Sequence, residues 1–147
     1  MAAGESKPEP YSVLLVEDDP PSRAYLARAI SAHPGLDLVA ALGTVGEARE
    51  HLSHQVPDVL LTDLGLPDGS GIDLIRLARG IEPKAQIMVV TVFGDEKNVI
   101  SSIEAGASGY LLKDGTSEAI GESVMELMRG GSPMSRLWCL RVWGWWR

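Results

Sequence analysis

The chain has 147 residues and a formal net charge of −7, from 13 basic against 20 acidic residues. That length suits one domain with a real core, and 45% hydrophobic with 22% charged residues is ordinary for a globular protein. The acidic balance argues against nonspecific attraction to nucleic acid or an anionic membrane. A single cysteine, Cys139, excludes an internal disulfide and a thiolate metal cluster.

In chain order, residues 1–11 are polar and proline-containing and read as a flexible leader, with no apolar signal-peptide core. No apolar run approaches the roughly 18 residues of a membrane span, so a cytoplasmic protein is expected. Residues 12–17 (SVLLVE) make a first strand ending in acid. A helix from 20 to about 33 follows, with Tyr25, Leu26, Ala29 and Ile30 at helical spacing and a stop at Pro34-Gly35. Leu36–Leu42 reads as the second strand. Thr44 and Glu47 have the spacing of a reciprocal capping pair, which opens a helix to about residue 52.

Residues 58–62 (DVLLT), after Pro57, form a third strand. Asp68-Gly69 is a turn, and Ser70 opens a third helix. Gln86–Thr91 (QIMVVT) is the fourth strand, and Asp95 caps a helix to about residue 105. Gly109–Leu112 (GYLL) is the fifth. Thr116 opens a last helix to about residue 129, with Ile120, Val124, Leu127 and Met128 on one face. Strands alternating with helices imply a parallel sheet covered on both faces. Right-handed crossovers then bring every strand's C-terminal end to one edge.

What sits at that edge is informative. The first strand runs into Glu17-Asp18-Asp19, the third into Asp63, the fourth into Thr91 and the fifth into Lys113. Carboxylates gathered in one crevice repel each other unless a cation joins them. Oxygen ligands favour a hard cation, and magnesium takes one or two carboxylates together with a phosphate oxygen. A lysine across the pocket supplies a point charge suited to a phosphoryl group. The bland alternative for the first cluster is a solvated turn, with Asp19 capping the helix that follows.

EDDP after one apolar strand, DLGLPDGSG after another, a threonine closing a fourth and GASGYLLKD at the fifth together resemble the receiver domains of two-component response regulators. The resemblance covers residues 12 to about 129. It implies a single α/β domain of the flavodoxin-like (βα)5 kind, with a parallel sheet in order 2-1-3-4-5. By position, Asp63 resembles the phosphoacceptor, and Glu17 and Asp18 the acidic pair that holds Mg²⁺ together with Asp63 and the backbone carbonyl of Gly65. Lys113 resembles the lysine that contacts the phosphoryl group. Thr91 and Tyr110 resemble the hydroxyl and aromatic pair that move on activation, and Pro67 the proline that shapes the loop.

The implied activity is a signalling switch rather than an enzyme. It would catalyse only its own phosphorylation and dephosphorylation, accepting the group from a sensor histidine kinase or phosphotransfer protein. Output would run through the fourth helix, fifth strand and fifth helix, or through the first and fifth helices, with a possible homodimer on phosphorylation. GYLLKD is similar to the subfamily that precedes a LuxR-type helix-turn-helix. The ending MSRLWCLRVWGWWR lacks that pattern, so residues 12–131 are expected to be the receiver. Residues 132–147 then form a truncated or atypical Trp/Arg tail, with no nucleic acid or membrane bound.

Three rivals stand beside this reading. A phosphatase with an aspartate nucleophile would need a second Asp where Gly65 stands. A flavin-binding module would need a Ser/Thr-rich loop where EDDPP stands. A phosphorylation-incompetent interaction domain remains as the third. The positions two beyond Asp63 and two beyond Thr91 are Gly65 and Phe93. Phe93 is expected to screen the acyl phosphate, and Gly65 offers no side chain to orient water, so the phosphorylated form should persist.

Overall fold

The computed structural model describes residues 9–91, 96–113 and 116–130. The readings on Phe93, Asp95, Asp114 and the 132–147 tail lie outside them. The chain alternates β1 (Tyr11–Val16), α1 (Pro20–Ser31), β2 (Leu36–Leu42), α2 (Val45–His54), β3 (Val59–Asp63), β4 (Gly65–Leu66), β5 (Gly69–Ser70), α3 (Gly71–Ile81), β6 (Gln86–Thr91), α4 (Glu96–Ala105), β7 (Gly109–Leu112) and α5 (Ser117–Met128). Strands β1, β2, β3, β6 and β7 form one parallel sheet in the order β2-β1-β3-β6-β7, which is the expected 2-1-3-4-5. Strands β4 and β5 are a short antiparallel hairpin between β3 and α3, where a plain turn was expected.

Alternation along the strands divides the core in two. Val13 and Leu15 face α1 and α5, packing with Leu26, Ala29, Ile30, Ile120, Val124 and Met125. Leu14 and Val16 face the opposite layer, with Val45, Ala48, Leu52, Leu74, Ile75, Ala78 and Val99 from α2, α3 and α4. β1 is apolar on both faces because helices cover both sides of the sheet.

Three details differ from the sequence reading. Tyr11 is 6% exposed and begins β1, so the fold reaches one residue into the segment read as leader. Tyr25 lies at the surface of α1, because the buried stripe of that helix is Leu26, Ala29 and Ile30. Helix α1 ends at Ser31 rather than near residue 33, since His33 turns its Nδ1 to accept the Gly35 N–H at 3.0 Å. The expected caps form at Asp19, Thr44 and Ser70, which accept from the N–H of Ser22, Glu47 and Ile72, and Thr116 likewise caps α5 by accepting from Ala119 N–H.

Candidate phosphoacceptor site

Parallel pairing of β1 with β3 sets Val16 beside Thr62, so Glu17, just past β1, and Asp63, the last residue of β3, come side by side. Glu17, Asp18 and Asp63 each offer a carboxylate oxygen, and these atoms lie within 4.8 Å of one another. Glu17 is wholly buried, Asp63 partly buried and Asp18 exposed. The group is therefore open on one side.

Lys113 closes the other side. Its Nζ donates to Asp63 Oδ2 at 2.9 Å and stands 3.1 Å from Glu17 Oε1. The register that delivers it is continuous with the sheet, because the Lys113 N–H donates to the Thr91 carbonyl at 2.9 Å at the end of the β6–β7 ladder. The other oxygen of Asp63, Oδ1, accepts the N–H of Leu64 at 2.7 Å. Glu17 Oε2 accepts the N–H of Asp19 at 3.1 Å.

Burial pushes the Glu17 carboxyl above its usual range, and the neighbouring Asp63 charge adds to this. The Asp19 N–H and Lys113 pull in the opposite direction without cancelling it. Desolvation alone would lower the Lys113 ammonium, but its hydrogen bond to Asp63 and its charge pairing with Asp63 and Glu17 outweigh that and raise it. Glu17 Oε1 accepts no aligned hydrogen bond although it is buried, so its contact with Lys113 is a charge pair only. An unsatisfied buried carboxylate oxygen is costly unless something else coordinates it. Three carboxylate oxygens so close together, one each from Glu17, Asp18 and Asp63, fit a hard divalent cation of the magnesium class.

Thr91 and Tyr110 are both buried, at 2% and 4% exposure, and alternation puts them on the same face of the sheet. Tyr110 sits in the layer packed on α2, α3 and α4, in the cluster that holds Val99. Gly65 is exposed in β4 and Pro67 lies at the tip of the hairpin.

The Response regulator receiver domain model matches residues 13–125. The chain belongs to the response regulator receiver family. Among curated relatives, the receiver is 33% identical over 133 residues to the nitrate/nitrite response regulator protein NarP of Escherichia coli, covering 90% of this chain and 60% of that protein. It is 34% identical over 120 residues to the DNA-binding transcriptional activator DevR/DosR of Mycobacterium tuberculosis, covering 82% of this chain and 55% of that one. The chain thus spans little more than half the length of these relatives. The receiver superposes with a TM-score of 0.80 on a LuxR-family two-component response regulator from an Aurantimonas species, at 29% identity over 90% of this chain and 94% of that one. The receiver domain of NarL from Mycobacterium tuberculosis gives 0.77 at 27% identity, over 84% and 99% of the two chains.

Receivers of this kind are signalling proteins that interact with histidine kinases and generally bind Mg²⁺ in an acidic pocket; here Glu17, Asp18 and Asp63 form an acidic cluster. Among the described residues no helix is long and apolar enough to cross a membrane.

Several contributors escaped the sequence reading. Arg23 donates from α1 to the carbonyls of Glu17 at 2.9 Å and Asp18 at 3.4 Å, bracing the loop that carries both acids. Asp68, read only as a turn former, caps α2 from the hairpin. Gly71 packs its bare Cα against the backbone of Asp63. A charged residue in the first turns of a helix that leaves an acidic loop was the only signal for Arg23. Away from the site, His33 pairs with Glu122 and His54 with Glu50.

Proposed function

We propose that this receiver is a Mg²⁺-dependent phosphorylation switch in which Asp63 accepts a phosphoryl group from a sensor histidine kinase or phosphotransfer protein. The observation that carries the reading is the gathering of carboxylate oxygens from Glu17, Asp18 and Asp63 beside Lys113, with Glu17 Oε1 buried and accepting no hydrogen bond.

Glu17, Asp18, Asp63 and the Gly65 carbonyl would hold the cation, which supplies charge neutralisation for the oxygens of the transferring group. Asp63 attacks phosphorus; the O–P bond forms as the P–N bond to the donor imidazole breaks, and the departing nitrogen keeps the electron pair and takes a proton. Lys113 is already held toward Asp63 Oδ2 and is placed to follow the charge as it moves onto the phosphoryl oxygens. Thr91 would donate its hydroxyl to the new dianion. Tyr110 lies on the same face, beside the surface of α4, β7 and α5, so its repositioning would carry the change to that surface. The face of α1 and α5 is the second output surface consistent with the packing.

Residues 12–131 would act as the receiver unit, in the cytoplasm, turning over no substrate but the group on Asp63. Treatment of the full chain with acetyl phosphate and Mg²⁺, followed by intact-mass measurement, tests this. The wild type should gain about 80 Da, the mass of one phosphoryl group, while Asp63→Asn and chelated wild type gain nothing. Labelling of Asp63→Asn to the same extent would overturn the assignment.

A further inference from the structure

The two loops that carry the acids leave neighbouring strands, yet among the described residues no hydrogen bond joins one loop to the other. Both are tied instead to a third segment, the turn from β2 into α2. On one side Glu17 N–H donates to the Leu42 carbonyl at 2.8 Å. The Arg23 guanidinium that braces Glu17 also lies against Gly43, where a Cβ would sit 2.9 Å from its Nη1. On the other side Asp68, at the tip of the β4–β5 hairpin, accepts from Val45 N–H through Oδ1 at 2.7 Å. Its Oδ2 accepts from Gly46 N–H at 2.9 Å. Gly69 settles on the Val45 side chain, with room for no more than a tight methyl, 3.3 Å from Cγ2.

The turn itself is pre-set. Thr44 Oγ1 accepts from Glu47 N–H at 3.0 Å and Glu47 Oε1 accepts from Gly43 N–H at 3.0 Å. With the two bonds from Asp68, the N–H groups of residues 43, 45, 46 and 47 all have side-chain acceptors. An ordinary helix start needs only its own Ser, Thr or Asp for this. Here half the capping comes from a residue 22 or 23 positions away, on the loop that continues the acceptor strand.

We infer that Asp68 is a positioning residue for the phosphoacceptor site: by clamping the hairpin to the start of α2, it fixes Gly65 and Asp63 relative to the Glu17–Asp18 loop that Arg23 braces against the same turn. The inference rests on the magnesium-dependent reading above and deepens it. A carboxylate is needed rather than a neutral cap, because both its oxygens accept at once. An amide would turn its NH₂ toward one of the two N–H groups.

The competing account is that Asp68 merely stabilises α2. Thr44→Ala separates the two, since it removes a cap from the same helix without touching the hairpin. Mg²⁺ binding to the full chain is measured by titration calorimetry for wild type, Asp68→Asn, Asp68→Ala and Thr44→Ala, each below its own melting temperature. Loss of a group that orients metal ligands typically weakens affinity about tenfold or more, and that loss is expected for Asp68→Ala, with a smaller one for Asp68→Asn, which keeps one acceptor. Thr44→Ala should melt earlier and bind Mg²⁺ as wild type does. If the Asp68 variants melt earlier but keep wild-type affinity, or if Thr44→Ala weakens Mg²⁺ equally, the positioning role is overturned while the functional reading stands. If wild type itself binds no Mg²⁺, the functional reading fails and the inference falls with it.

Discussion

Gly71 is the first residue of α3, and its Cα lies directly behind the acceptor Asp63. A Cβ there would overlap the Asp63 carbonyl oxygen and come within 2.8 Å of Leu64 Cα. These are backbone atoms of a buried strand end, so neither can swing away. The close approach is locked by a hydrogen bond from Gly71 N–H to the Leu64 carbonyl at 2.8 Å. Gly71→Ala therefore has to displace the acceptor backbone. Overpacking of this kind costs about 1–3 kcal/mol, which denaturant unfolding should register. Acetyl-phosphate labelling of the variant should also slow, even in conditions where it is fully folded. Wild-type labelling at a lowered midpoint would show that the acceptor tolerates the shift.

The buried Glu17 makes the metal-free receiver less stable than it could be. Its carboxyl is raised above the unfolded value by burial and by Asp63, so the folded state favours the protonated acid. Stability from this group is therefore full below the unfolded pKa and is lost as pH rises through the folded one. At pH 7 in chelator, Glu17→Gln should melt a few degrees higher than wild type, and the gap should narrow toward pH 4. Added Mg²⁺ should raise the wild-type melting temperature more than that of the variant, because the variant has lost one of the carboxylates proposed to hold the ion. A variant that melts lower in chelator would mean that the Lys113 contact outweighs the burial cost.

The acids of the site were readable because each one ends an apolar run. Strand periodicity located Glu17, Asp63 and Lys113, and the topology of alternating strands and helices then placed them together. The strands Leu36–Leu42, Gln86–Thr91 and Gly109–Leu112 were bounded by the change from apolar to polar residues and came out residue for residue. The clamp formed by Asp68, Val45 and Gly46 was not readable, because its partners stand 22 and 23 residues apart and the donors are backbone N–H groups with no side-chain signature. Gly71 was hidden for a related reason: a glycine that opens a helix gives no sign of what it packs against. Tyr25 was misplaced because helical spacing alone does not say which edge of an apolar stripe meets the core.

Asp68 gives a pH signature of its own. The N–H groups of Val45 and Gly46 hold its carboxyl below the usual range although it is solvent-exposed. A depressed folded pKa means stability that is present above the unfolded value and lost as pH falls through the folded one. The melting-temperature gap between wild type and Asp68→Asn should thus stay constant from neutral pH down to roughly pH 5, and close below about pH 4, near the unfolded Asp value. A gap that is independent of pH would assign the loss to side-chain shape rather than to charge.

Gly65 offers a test of how long the phosphorylated form persists. It stands two residues beyond Asp63, is exposed, and has no positive φ that would demand glycine. A Cβ built on it meets no atom within 4 Å. A side chain at this place is therefore free of steric cost, and a surface exchange of that sort usually changes stability by no more than about 0.5 kcal/mol. What it would change is the approach to the acyl phosphate. An amide at residue 65 can donate to or accept from a water entering on the open side of the crevice, where Asp18 is exposed. Gly65→Asn should melt with wild type but lose its phosphoryl mass severalfold faster once acetyl phosphate is removed, measured as the decay of the added mass over time. Equal lifetimes for the two proteins would mean that water reaches phosphorus without help from this position, and that the lifetime is set elsewhere in the site.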